Sequence, residues 1–265
     1  MVQQLIDKQR IANSFSNAAS TYDSLAELQR QVGTELLDYL PEPHPDNILD
    51  LGCGTGYFTP ILKQHYPDAY LYNLDLALGM LHYARSHRPA ENASWLCADA
   101  ESLPLADKSI NLIYSSLAIQ WCENIGQLFS EVQRILKPGG QFVFATLGAE
   151  TLSELKVAWQ SADTDTHVNR FFDQSHIRAN IHEGLNVNSF HEDSKILKYR
   201  ELKELTDELK GIGAHNMNSG QPVGLVGREK LRRFKAGYEA QRMADGMLPA
   251  TYQVFYVVLE KPLEN

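Results

Sequence analysis

The run ILDLGCGTGYF, residues 48–58, constrains this chain more than any other stretch. A short apolar strand carrying Asp50 opens into Gly52, Gly54 and Gly56, and a helical pattern follows. Glycine lets the backbone turn without a Cβ clash and approach a ligand closely, and a helix beginning beyond such a loop presents free N–H groups to an anion. A nucleotide-like cofactor is expected there. The spacing D-x-G-x-G-x-G departs from the dinucleotide pattern G-x-G-x-x-G, and nothing resembles the Lys-Ser/Thr of a phosphate-binding P-loop.

Around this loop short apolar runs alternate with helical patterns, the mark of a parallel sheet with crossover helices. Strands are predicted at residues 47–51, 70–74, 94–97, 110–115 and 141–146, with Lys137-Pro-Gly-Gly140 as a helix stop and tight turn into the fifth. Two helices precede the sheet, the second carrying Leu25, Leu28, Val32 and Leu36 at helical spacing, and the prolines of 41–45 end them. Beyond Leu147 the alternation breaks into an insertion with helix-like residues at 174–184. Strand-like runs at 187–190 and 196–199 follow, then helices over 201–211 and 227–240, and a last strand at 251–259 rich in β-branched and aromatic residues. The expected organisation is α/β: a helical lid segment over 1–44, then one domain over 45–265 with a mostly parallel seven-stranded sheet and helices on both faces. Helical insertions are expected after the fifth strand, about 148–186, and after the sixth, about 201–246.

The 265 residues, 43% hydrophobic and 22% charged, suit one large globular domain with insertions. A formal charge of −9 argues against the nucleic-acid backbone as main partner, because that binding needs cationic neutralisation. No apolar run approaches the ~20 residues that span a bilayer, and the start MVQQLIDKQR lacks a secretory stretch, so no membrane association and a cytoplasmic location are expected. Cys53, Cys97 and Cys122 are scattered without C-x-x-C spacing; free thiols and no metal site are expected.

The glycine loop resembles that of the class I methyltransferases, in which it faces the methionine part of S-adenosyl-L-methionine; the resemblance implies their Rossmann-like fold. Asp75 closes the second strand about twenty residues after the glycines, where an acidic side chain can accept hydrogen bonds from both ribose hydroxyls. The resemblance gives Asp99 the adenine amino group and the N–H of Ala100 the ring, while Met80 is placed to pack against adenine. Ser115, Ser116, Leu117 and Gln120 fall at the carboxyl edge of the fourth strand, where open α/β sheets hold ligands.

The segments FSNAASTYD (15–23), LAIQWCEN (117–124), HVNRFF (167–172), LKGIGAHN (209–216) and LPATYQVFY (248–256) together resemble the malonyl-[acyl-carrier protein] O-methyltransferases of biotin synthesis, over nearly the whole chain. The loop 216–221 fits no pattern of that family. The resemblance implies methylation of the free carboxylate of malonyl thioester on acyl carrier protein or coenzyme A, with S-adenosyl-L-homocysteine as second product. A carboxylate with a pKa near ~4 is already ionised at neutral pH and needs no general base. Arg170 is the expected carboxylate partner, since an unpaired buried charge is costly. Tyr22 is the expected lid residue over the methionine end, anchored by Phe15, with Gln120, Trp121 and His167 as further candidates. A basic docking face for the acidic carrier protein is expected from Arg228, Lys230, Arg232, Arg233 and Lys235, with Leu231, Phe234 and Tyr238 on the inner face of that helix. Two other readings share the cofactor site: an O-methyltransferase of small free carboxylic acids, of trans-aconitate type, and a non-catalytic adenosylmethionine-binding partner protein. The intact Gly54 and Asp75 speak against the latter.

Overall fold

A computed structural model describes residues 7–42, 45–214 and 227–264. Seven strands form one sheet in the order β3-β2-β1-β4-β5-β7-β6. They are β1 (Asn47–Leu51), β2 (Tyr70–Asp75), β3 (Ala93–Cys97), β4 (Ile110–Ser116), β5 (Leu136–Leu147), β6 (Asn186–Tyr199) and β7 (Leu248–Glu260). The first five run parallel, and β7 pairs antiparallel with both β5 and β6. Three helices, α1 (Lys8–Ala18), α2 (Tyr22–Leu25) and α3 (Glu27–Leu36), precede the sheet. The crossovers carry α4 (Thr59–His65), α5 (Leu78–His87) and α6 (Ile125–Ile135). Helices α7 (Ser153–Gln160) and α8 (Gln174–Asn180) lie between β5 and β6, and α9 (Leu202–Gly211) and α10 (Arg228–Glu239) between β6 and β7.

The inner strands β1, β4 and β5 are largely apolar on both sides because both faces are covered, as parallel sheets require. Ile48, Leu112, Tyr114, Val143 and Val258 join one core cluster, packed by Val32 and Leu36 of α3, Leu155 of α7 and Phe234 of α10. Their chain neighbours Leu49, Ile113, Phe142, Phe144 and Leu259 join the other, packed by Phe129 and Val132 of α6 and Ile177 of α8. The chain leaves β1 outward to β2 and β3, then returns to β4 on the other side of β1. The strand order thus reverses between β1 and β4, and the crevice beyond their carboxyl ends is where such sheets bind ligands.

Several elements differ from expectation. The runs at 187–190 and 196–199 are two parts of one fourteen-residue strand, β6, paired with β7 along its length. The residues between them, His191 to Lys195, are polar because β6 is the outermost strand. Lys137-Pro-Gly-Gly140 lies within β5 as a bulge, with Ile110 opposite Leu136 and Leu112 opposite Gln141. Among the described residues the leading α-helices number three, interrupted near Ala19 and at Ala26. Helix α7 was not legible as a separate element. Among the described residues no helix is long and apolar enough to cross a membrane.

Candidate active site

The loop after β1 is bent by its own hydrogen bonds. Gly52 and Cys53 donate N–H to the Leu74 carbonyl at 2.7 and 3.0 Å, which ties the loop to the end of β2. Gly52 has φ +77°, and a Cβ there would stand 2.2 Å from the Cβ of Ala118. Gly54 has φ +54°, and a Cβ there would meet nothing within 4 Å, so its side of the loop is open. Gly56 stands back from the crevice, where a Cβ would reach Ala84 at 3.1 Å. Helix α4 begins at Thr59, whose N–H already bonds the Gly56 carbonyl, so the loop rather than the helix terminus faces the crevice.

Asp75 organises this end of the sheet. One carboxylate oxygen accepts from Gly54 N at 2.8 Å, the other from Ala77 N at 2.7 Å. Burial raises its pKa, and those backbone bonds pull it part of the way back. Asp50 is 3% exposed, and its Oδ2 has no hydrogen-bond partner among the described residues. Burial first, and the neighbouring Asp75 charge second, push the Asp50 carboxyl up to about 8.

Three cavities meet here. The first, about 790 Å³, is lined by Gly52, Gly54, Asp75, Met80, Asp99 and Ala100 among others; this volume and the two that follow include space open to solvent. Another, about 470 Å³, reaches Asp50, Thr55 and Ser116 below the glycine loop. The remaining one, about 740 Å³, lies against α7 and α9 and takes in Gln120, His167, Asn169 and Glu208. Tyr22 lines all three, and Phe15, Leu117 and Trp121 line both larger ones, so these four side chains form the septum between the larger cavities. The Phe15 ring lies edge-on to Trp121 at 5.4 Å and tilted against Tyr22 at 6.3 Å. Leu117 reaches the septum through a left-handed backbone, φ +50°, held by its N–H bond to Ala145. Such strain in a non-glycine residue gathers at functional sites.

The segment carrying Phe15 and Tyr22 is fastened at several points. Lys8 bridges Asp99 and Glu101 at 2.6 and 2.9 Å. Asp23 accepts from the Thr55 hydroxyl at 2.6 Å and from Arg88 at 2.5 Å. Ser14 and Thr21 donate to the carbonyls of Gly213 and Gly211 beside α9. Lys8, Arg88 and Glu208 were not singled out in the sequence; Asp23 stood in the quoted FSNAASTYD without a role.

Some expected positions are corrected. Ser115 is buried and donates to the Leu51 carbonyl at 2.7 Å, stapling β4 to β1; its neighbours Ser116 and Leu117 face the crevice instead. Arg170 is exposed and does not line the cavity that Val168, Asn169 and Phe171 enter, because those three side chains turn inward and leave it outside. Gln120 lines the cavity, but its amide is engaged by the Leu117 carbonyl and Thr146. His167 stacks on Trp159 at 3.7 Å and bonds Asp163 at 2.8 Å. Asp163, Asp165 and His167 have ligand-type atoms within 4.8 Å of one another, and the Lys230 ammonium lies 3.3 Å from Asp163. On α10, Phe234 and Tyr238 are buried but Leu231 is 38% exposed. Arg232 and Arg233 both pair with Glu229, and all five basic residues of α10 are exposed. The loop 216–221 lies outside the described residues.

The fold is that of a Rossmann-like methyltransferase, and residues 49–144 match the family described as Methyltransferase domain. A solved structure from Bacillus halodurans superposes with a TM-score of 0.62 at 17% identity, covering 87% of this chain and 98% of that one. The chain is 42% identical over 258 residues to the malonyl-[acyl-carrier protein] O-methyltransferase of Hahella chejuensis, covering 94% of this chain and 89% of that protein. It belongs to the malonyl-[acyl-carrier protein] O-methyltransferase family. It is also 48% identical over 259 residues to the biotin biosynthesis bifunctional protein BioHC of Cellvibrio japonicus, covering 97% of this chain and 51% of that protein. The chain spans about half the length of such bifunctional relatives.

Proposed function

We propose that this chain methylates the free carboxylate of a malonyl thioester, carried on acyl carrier protein or coenzyme A, with S-adenosyl-L-methionine as donor. The methyl ester so formed would prime pimeloyl chain synthesis for biotin. The observation that carries the reading is the septum: Tyr22, Leu117 and Trp121 touch both a cleft lined by cofactor-type acids and a largely apolar cavity beyond it.

The residues present fit the donor. Asp50 offers a buried acceptor without a partner, suited to an ammonium, and the open side of Gly54 leaves room for a close approach. Asp75 would accept the ribose hydroxyls, Asp99 and Ala100 would hold adenine, and Met80 would pack against it. When bound, the donor supplies an electrophilic methyl on a positively charged sulfur.

For the acceptor, the task of the chain is alignment and exclusion of water rather than proton removal. Phe15 and Trp121 keep the junction apolar, and Tyr22 brings a hydroxyl to it. No Lys or Arg lines the second cavity among the described residues, so the acceptor charge is left to be answered by the sulfonium. Opposite charges cancel as the methyl moves, and an apolar surround favours that cancellation over a solvated ion pair. Arg228 and Lys235, exposed on α10, are the cations offered to an acidic carrier. Malonyl carrier protein incubated with enzyme and labelled donor should gain one methyl group by mass spectrometry, removable by an esterase; an unmodified carrier would end this reading.

The state of Asp50 makes a second expectation. Its folded pKa, raised to about 8, exceeds the unfolded value of ~3.9. The folded chain therefore keeps a proton that the unfolded chain gives up. The stability so contributed is fully present below the unfolded pKa and fades as pH rises toward the folded one. An ammonium bound beside Asp50 favours the ionised form, so binding S-adenosyl-L-homocysteine at pH 7 should release about one proton. Calorimetry in buffers of different ionisation enthalpy reads that number directly. The dependence should vanish in Asp50→Asn, and a wild-type enthalpy independent of buffer would remove the ammonium from Asp50.

A further inference from the structure

The second cavity has an unusual charge balance for an anion site. Its polar lining includes Gln29, Gln120, Thr151, Asn169 and His167, the last engaged by Asp163, and its one carboxylate among the described residues is Glu208, in the last turn of α9. Burial raises its pKa, with the Tyr199 hydroxyl pulling it back and the Glu27 charge adding to the rise. It lines only this cavity and is not part of the septum.

We propose that Glu208 sets acceptor specificity, turning away free di- and tricarboxylic acids while admitting a carboxylate whose other end is an uncharged thioester. The inference rests on reading the second cavity as the acyl site. A monocarboxylate places its single charge at the septum, where the donor is cationic. A free diacid brings a second charge into the same space, which among the described residues offers no Lys or Arg, has its His167 engaged by Asp163, and already holds Glu208. Two carboxylates sharing a site cannot both ionise without cost, so the diacid enters only against repulsion or with an extra proton. The thioester end of a malonyl carrier brings no such charge, and its amide-bearing arm can donate an N–H to Glu208. Discrimination arises from what is placed against the wrong acceptor as much as from contacts to the right one.

The test compares wild type with Glu208→Gln, using malonyl-coenzyme A as acceptor and free malonate and trans-aconitate as competitors. The ratio of the malonate inhibition constant to the KM for malonyl-coenzyme A should fall about tenfold in the variant, equivalent to ~1.4 kcal/mol. Glu208→Asp, which keeps the charge, should retain most of the wild-type ratio. Should the Gln variant melt early, Glu208→Met fills the same space without a polar group and should show the same fall. A ratio unchanged within twofold in a folded neutral variant, or lost equally in Glu208→Asp, overturns the role of Glu208 alone. Absence of turnover by wild type with any malonyl thioester overturns the acceptor reading, and this role with it.

Discussion

Asp75→Asn should lose affinity for S-adenosyl-L-homocysteine by two orders of magnitude or more while still folding. The carboxylate accepts from Gly54 N and Ala77 N on its two oxygens, and Asp75 lines the first cavity. An amide has one oxygen, so its NH2 must face one of those two N–H groups and leave it unpaired, at ~1–3 kcal/mol. It also replaces a charged acceptor for two hydroxyls, each such bond being worth ~1.5–3 kcal/mol. The two losses fall on different observables. The first loosens the glycine loop and lowers the melting temperature of the ligand-free chain, and the second appears only in ligand titrations. Calorimetric affinity within fivefold of wild type would show that Asp75 serves the loop and not the ligand.

Gly52→Ala is expected to be strongly destabilising. The new Cβ would lie 2.2 Å from that of Ala118, and the backbone at φ +77° is left-handed. The conformation alone costs ~1–2 kcal/mol for an L-residue, and overpacking against a fixed neighbour adds ~1–3 kcal/mol. At roughly 2–4 °C per kcal/mol for a chain of this size, thermal unfolding should fall by about 5–15 °C. Ala118→Gly removes the atom that is struck but leaves the backbone conformation as it was. In the double variant the overlap part should return and the conformational part should not, a coupling that a thermodynamic cycle isolates. A double variant no more stable than Gly52→Ala would mean that the loop had moved away from Ala118.

How much of this was legible depended on how locally each feature is encoded. The central parallel strands were readable because burial on both faces writes an apolar run, as in Phe142 to Ala145. The acids Asp50, Asp75 and Asp99 were readable because each sits at or near a strand end, and their contacts with the cavities follow from topology. Ser115 and Ser116 show the limit. Adjacent side chains on a strand point to opposite faces, and nothing in two consecutive serines says which one meets the crevice. Arg170 failed for a related reason: its segment has no regular period, so the turn that sends Val168, Asn169 and Phe171 inward could not be counted out in advance. Lys8, Arg88 and Glu208 were missed because their partners or neighbours are distant in sequence, Lys8 and Asp99 being 91 residues apart. Leu231 was misplaced because helical spacing shows a face but not how far a neighbouring helix extends over it.

The polar run from His191 to Lys195, which interrupts the apolar pattern of β6, has a consequence for the behaviour of the chain in solution. As the outermost strand, β6 offers a row of backbone donors and acceptors to any other extended chain, with Ile196 exposed beside it. Glu192, Asp193 and Lys195 set charges of both signs along that margin, and Lys195 is tied back to Glu35 and Asp193. A second copy docking strand to strand would have to bring like charges together or strip them of water. The margin is thereby guarded against edge-to-edge aggregation.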